Sequence, residues 1–237
     1  MLKENKLNGR RKLCTNKERD GVIFRNKITS ALEEFQAVQV FAEMPVIQNY
    51  SVDEGSVREK DSLLCFSKAV SQKGCNDEIV HFYLNDNRFM QIFNNPEKYA
   101  GILKRYRYVI TPDCSQYVYM PQMQRMAHSF WNKAIAAFWQ KQGINIIFNV
   151  SWSLPESYSY AFAGLPTGCA IAINCTGIKG SPVSKYLWQK GYEEAIDRLN
   201  PPLIIRYGDR MPNERDDISV YFENANLKNL RNGRKRK

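Results

Sequence analysis

The chain has 237 residues, 43% apolar and 24% charged, with a formal net charge of +10. These are ordinary globular proportions, which exclude a wholly disordered, collagen-like or low-complexity chain. No stretch approaches the roughly 18 consecutive apolar residues of a membrane span, and the basic start has no apolar run behind it to make a secretory signal. The charge is uneven. Residues 1–27 hold nine bases against three acids, residues 228–237 hold six bases and no acid, and the 200 residues between them carry 19 bases and 21 acids.

In chain order, residues 1–27 read as a basic N-terminal arm, and a short helical pattern follows at Ile28–Phe35. A polar linker from Ser51 to Asp61 precedes a short apolar run, Leu63–Phe66. Glu78–Leu84 (EIVHFYL) is β-branched and aromatic and predicts a strand. Pro96 opens a short helix to Arg105, and Tyr106–Pro112 predicts the next strand, stopped by its proline. A long helix from Pro121 to Gln142 keeps a 3.6-residue apolar period and carries a second apolar face, with Gly143 placed to cap it.

Strands are predicted at Ile144–Val150 and Gly168–Asn174, joined by a polar and aromatic loop with no evident helix. Ser181-Pro182 is a strong helix start, and that helix runs to the Asn200-Pro201-Pro202 stop. Leu203–Tyr207 predicts the last strand. The alternation predicts an α/β fold, a mostly parallel sheet or partial barrel of alternating strands and helices, with basic flexible tails. One α/β domain is expected over 28–212, with a polar and basic tail over 213–237.

Residues two apart on a strand share a face, and in parallel α/β sheets ligands bind beyond the carboxyl ends of the strands. Polar residues collect at that end of every predicted strand: His81 and Tyr83, Thr111 and Asp113, Asn149 and Ser151, Asn174 and Thr176, Tyr207 and Asp209. This pattern predicts a pocket. Asp113 is the candidate general base and His81 its acid–base partner. Asn149, Asn174, Ser115 and Tyr83 are candidate ligand contacts, and Trp152 is a candidate stacking surface.

The six cysteines form no Cys-x-x-Cys pair, and neither His81 nor His128 lies near a tight cysteine cluster, so no metal site is expected. Cys114, after Asp113, is a weaker candidate nucleophile, and Cys169 and Cys175 read as packing. There is no phosphate loop, dinucleotide fingerprint, HExxH or GxSxG, so neither cofactor nor reaction is named. The tails suit phosphate neutralisation, with Arg10, Arg11, Lys12, Arg234, Lys235, Arg236 and Lys237 as candidate nucleic-acid contacts.

Several stretches together resemble one family. They are VHFYLNDNRF with FNNPEKY, VITPDCSQYVYMP, WQKQGINIIFNVSW, FAGLPTGCAIAINCTG, and KGYEEAIDRLNP with IIRYG. Between about Pro45 and Gly208 the chain resembles the phage and mobile-element family called domain of unknown function 4417. Pro112-Asp113-x-Ser115-x-Tyr117 and Asn149-Val150-x-Trp152 are the most specific parts. The resemblance implies an accessory protein working in the cytoplasm of a bacterial host, with DNA or RNA as the expected partner. An enzyme or ligand sensor built on the strand-end pocket, and a binder of a host protein, are the alternatives.

Overall fold

The computed structural model describes residues 40–57, 63–73 and 76–224. A small antiparallel hairpin, β1 (Val40–Phe41) and β2 (Met44–Pro45), opens this part of the chain. The body is one sheet of seven strands: β3 (Leu63–Cys65), β4 (Asn76–His81), β5 (Tyr106–Ile110), β6 (Ile146–Asn149), β7 (Ile171–Asn174), β8 (Ile204–Tyr207) and β9 (Ser219–Phe222). They lie side by side in chain order and every neighbouring pair is parallel. Right-handed crossovers that always step the same way leave their helices on one face, and the sheet curls into a half-barrel.

The helices are α1 (Phe66–Ala69), α2 (Gln91–Asn94), α3 (Pro96–Leu103), α4 (Gln122–Lys141), α5 (Tyr158–Ala161) and α6 (Pro182–Leu199). They pack on the outer face over Leu64, Val80, Val109, Ile146, Phe148, Ile171, Ile173 and Ile204. Residues one step along each strand turn to the inner face, where Ile79, Tyr108, Ile110, Ile147, Ala172 and Ile205 make a second, smaller cluster. Burial on both faces explains why these strands read as continuous apolar runs.

Residues 47–57 cross from one layer to the other. Ile47 packs in the outer cluster, whereas Val52 and Val57 pack in the inner one. Between them the Tyr50 hydroxyl donates to Ala170 O (2.5 Å) and accepts from Phe148 N (3.0 Å), bridging β6 and β7.

Helix ends follow the expected chemistry. Ser181 caps α6 by accepting from Ser184 N (3.2 Å), with Pro182 in the first turn. Gly143, at φ +73°, follows α4.

Three features differ from expectation. The stretch 213–224 is not simply a tail, because β9 completes the sheet: its apolar and aromatic residues pair with β8 in full register, Tyr207 opposite Phe222. The apolar run at 63–65 is the opposite edge strand, β3. The 151–167 connection holds a 3-10 turn at Pro155–Ser157 that runs into α5.

Candidate functional site

Pro112 ends β5 and puts Asp113 at the carboxyl rim of the sheet, beside the ends of β6 and β7. Asn149 Nδ2 donates to Asp113 Oδ1 (2.9 Å) and Asn174 Nδ2 donates to Asp113 Oδ2 (2.7 Å), so one carboxylate ties three strand ends together. Both asparagines are fixed in turn. The Thr111 hydroxyl accepts from Asn149 N (2.9 Å), Asn132 Nδ2 of α4 donates to Asn149 O (3.2 Å), and Asn174 Oδ1 accepts from Thr176 N (2.9 Å). Asn149 is fully buried, yet its Oδ1 has no hydrogen-bond partner.

Beyond Asp113 the chain is held from two sides. Ser115 donates from its backbone (3.1 Å) and its hydroxyl (2.9 Å) to the Asp86 carboxylate. Ser115 O lies 2.5 Å from His128 Nδ1. A carbonyl only accepts, so His128 carries its proton on Nδ1.

A cavity of about 430 Å³ opens over this rim. Asp113 and Asn174 line it together with the hydroxyl residues Ser115 and Ser151, and Trp152 and Trp188 form aromatic walls. Among the described residues, Asp113 is the one charged residue in the lining and forms no ion pair. Burial pushes its carboxyl above the usual aspartate value. The two amide hydrogen bonds oppose that rise, and the charge of Asp86 adds to it. Cys114 also lines the cavity, but burial holds its thiol well above the ordinary cysteine value, with Asp86 and Asp113 adding to the effect. It is a protonated wall residue, not an activated nucleophile.

Trp152 stands where it does because of a glycine. Its indole Nε1 donates to Leu187 O (3.3 Å), and its ring fills the notch at Gly191 of α6, where an added Cβ would sit 2.1 Å from Nε1. Trp188 lies 6.2 Å from Trp152 between ring centroids and stacks on Tyr192 at 4.9 Å.

His81 and Tyr83 adjoin the cluster without lining the cavity. His81 packs against Tyr83 (centroids 5.2 Å) and Tyr207 (5.0 Å), and the two tyrosines stack at 4.5 Å. Tyr83 N donates to His81 Nδ1 (3.2 Å), which engages the imidazole lone pair and leaves the proton on Nε2. Burial lowers the His81 pKa to about 4, so the ring is neutral at pH 7. Engagement of Nδ1 leaves Nε2–H as the ring's remaining hydrogen-bonding group. The Tyr83 hydroxyl is buried without a partner, and its pKa is raised by burial and then by the charge of Asp113.

The structure therefore brings Asp113, Asn149, Asn174, Ser115 and Trp152 to one rim, with His81 and Tyr83 in an aromatic pile beside it. Arg10, Arg11, Lys12, Arg234, Lys235, Arg236 and Lys237 lie outside the described residues. Among the described residues no group of three or more His, Cys, Asp or Glu is placed to hold a metal ion.

Three buried basic side chains among the described residues were not legible in the sequence. Arg206 is 1% exposed and donates to Glu214 from Nε (2.6 Å) and Nη2, and to Ile173 O (2.7 Å) from Nη1, with its guanidinium over Trp188. It pins the segment after β8 under the site. Lys133 of α4 donates to Ser129 Oγ (2.8 Å), Tyr160 O (2.9 Å) and Ala161 O (3.0 Å), holding α5 in place. Arg125 reaches Ser153 (3.2 Å) and Glu156 (3.0 Å) in the loop after β6.

Fold and site define an α/β half-barrel protein with a carboxylate-floored cavity at its strand rim. The chain belongs to the family described as domain of unknown function DUF4417, whose model matches residues 37–224. It is similar to the Gene 1 protein of Mycobacterium phage L5, at 33% identity over 133 residues, covering 56% of this chain and 58% of that protein. It is also similar to the Gene 1 protein of Mycobacterium phage D29, at 32% identity over 129 residues, covering 54% and 48%. The chain thus spans about half the length of these curated relatives. No solved structure matches it.

Proposed function

We propose that this is a phage-associated recognition protein that binds, at its strand-rim cavity, a ligand rich in hydrogen-bond donors. It would act in the cytoplasm of a bacterial host. The observation that carries this reading is the Asp113 carboxylate, clamped by two asparagines on the floor of a cavity whose lining, among the described residues, holds no base. Each Asp113 oxygen accepts one protein hydrogen bond and keeps a lone pair for a ligand. Gln116, also in the lining, has a buried Oε1 with no partner, a further acceptor. Aromatic walls with a few fixed polar groups are the usual make-up of a ligand pocket, and 430 Å³ lies within the usual range. With His81 engaged and Cys114 protonated, Asp113 serves as an anchor.

Ligand-observed NMR with a fragment collection tests this. Hits on the wild type should carry amine, amide or amidine donors, and Asp113→Asn should lose them. Asn149 can rotate its amide to accept from the new side chain, so that variant should keep its fold. Hits that persist unchanged in Asp113→Asn would remove the cavity from the account.

A second reading concerns the basic ends. The described residues carry equal numbers of acidic and basic side chains, so the whole excess of positive charge lies outside them. We propose that Arg10, Arg11, Lys12, Arg234, Lys235, Arg236 and Lys237 give DNA or RNA affinity independent of the cavity. Affinity for a 20-mer duplex should then fall steeply with salt and vanish when residues 1–27 and 228–237 are removed. Salt-independent binding, or binding retained by the truncated chain, would refute it.

A further inference from the structure

The cavity wall carries a run of large apolar side chains on the described surface. Tyr117 (51% exposed), Val118 (52%) and Tyr119 (78%) line the cavity itself from the loop after β5. Tyr117 and Tyr119 stack face to face at 5.2 Å. Three of the eight large apolar residues that stand exposed among the described residues thus lie side by side on the cavity wall. Soluble monomers seldom expose so concentrated an apolar patch, and tyrosine is typical of the buried centres of protein interfaces.

The floor of the same cavity is charged in one sense only. Asp113 has no cationic partner among the described residues, and its carboxyl is held from both sides by neutral amides. A partly buried carboxylate of this kind gains most from a cation that brings its own hydrogen-bond donors. Phosphate is the wrong charge for this floor, so a nucleic-acid strand is disfavoured here, whatever the basic ends bind. The exposed Tyr117–Val118–Tyr119 run also offers more contact surface than a small amine can use.

Resting on the cavity reading above, we infer that the occupant is a polypeptide partner that inserts one arginine or lysine side chain onto Asp113 and covers the exposed Tyr117–Tyr119 wall with apolar neighbours. The guanidinium or ammonium would displace cavity water, donate to the free lone pairs of Asp113 and to Gln116, and lie between Trp152 and the rim tyrosines. This is the arrangement of an interface anchor, a desolvated polar contact ringed by apolar residues that exclude water.

Selection from a random displayed peptide library on the full chain tests the inference. Selected peptides should converge on one arginine or lysine flanked by apolar residues. The synthesised consensus, followed by fluorescence anisotropy, should weaken by about tenfold or more when its cation is replaced by citrulline or norleucine. It should weaken similarly on the Asp113→Asn and Tyr119→Ser proteins. The peptide exchange needs no protein variant, so misfolding cannot mask it. Selection with no cationic convergence, a citrulline peptide that binds equally well, or a mixed-sequence single-stranded oligonucleotide that competes for the cavity would each overturn the inference. If neutral fragments still bind in an Asp113-dependent way while no basic peptide does, the partner assignment fails and the cavity stands.

Discussion

His81 gives the body a stability that acid should remove in a defined window. The ring is 5% exposed, packed against two tyrosines, and its pKa is lowered to about 4 from an ordinary 6.5. In the unfolded chain the imidazole binds a proton near pH 6.5, whereas the folded protein resists until about pH 4. Between those values the unfolded state holds more protons, so stability is full above pH 6.5 and drains as pH falls. Two and a half pH units at about 1.4 kcal/mol each, softened by the titration at either end, give a loss of about 2 kcal/mol by pH 5 and about 3 kcal/mol by pH 4.

Substitution His81→Asn isolates this contribution. Its amide oxygen can accept the Tyr83 N–H as Nδ1 does, and it does not titrate. Urea unfolding at pH 8, 6, 5 and 4 should show the wild type losing about 2 kcal/mol more than the variant between pH 8 and pH 5. Whatever the substitution costs at pH 8 cancels in the difference. Parallel pH profiles would mean that His81 is protonated in the folded state, and the neutral aromatic pile would be wrong.

Other consequences follow from particular contacts. Gly191→Ala should destabilise the protein by about 1–3 kcal/mol in thermal or urea unfolding, although alanine is the better helix former by about 1 kcal/mol, because the methyl meets Trp152 at 2.1 Å. A stabilised variant would show that Trp152 does not sit in that notch. Arg206→Met should cost about 3–5 kcal/mol by leaving Glu214 buried and unpaired, and the double change Arg206→Met with Glu214→Leu should recover most of it. Equal loss in the single and double variants would place the cost in packing. Gly164→Ala should unfold at lower temperature, since its φ is +74° and a Cβ would lie 2.5 Å from Pro45 O. An unchanged melting temperature would mean that β2 does not pack against that turn.

The fold was legible where the chain repeats one pattern. EIVHFYL, YRYVITP, INIIFNV and LIIRY, separated by helices with clear proline starts, leave little but a parallel sheet with same-handed crossovers. The rim cluster was legible for the same reason: adjacent parallel strands end at one level, so Asp113, Asn149 and Asn174 had to meet if their faces agreed.

What stayed hidden depends on partners far along the chain or on atoms that sequence does not orient. The role of His81 turns on a backbone N–H two residues away that occupies one ring nitrogen. β9 is four residues long, with charged neighbours on both sides, and only pairing with β8 marks it as a strand. Arg206 and Lys133 look like surface residues until their acceptors, Glu214 and the carbonyls of α5, are in place. Gly191 reads as a weak point in a helix until Trp152 fills it.

Crystals of the protein soaked with amine- and guanidine-bearing fragments show whether the Asp113 carboxylate receives a donor. Density should appear in the strand-rim cavity with a nitrogen within about 3.2 Å of Asp113 and an apolar part against Trp152. An empty cavity in crystals whose fragments settle elsewhere would leave the clamped carboxylate as a structural tie between strands and nothing more.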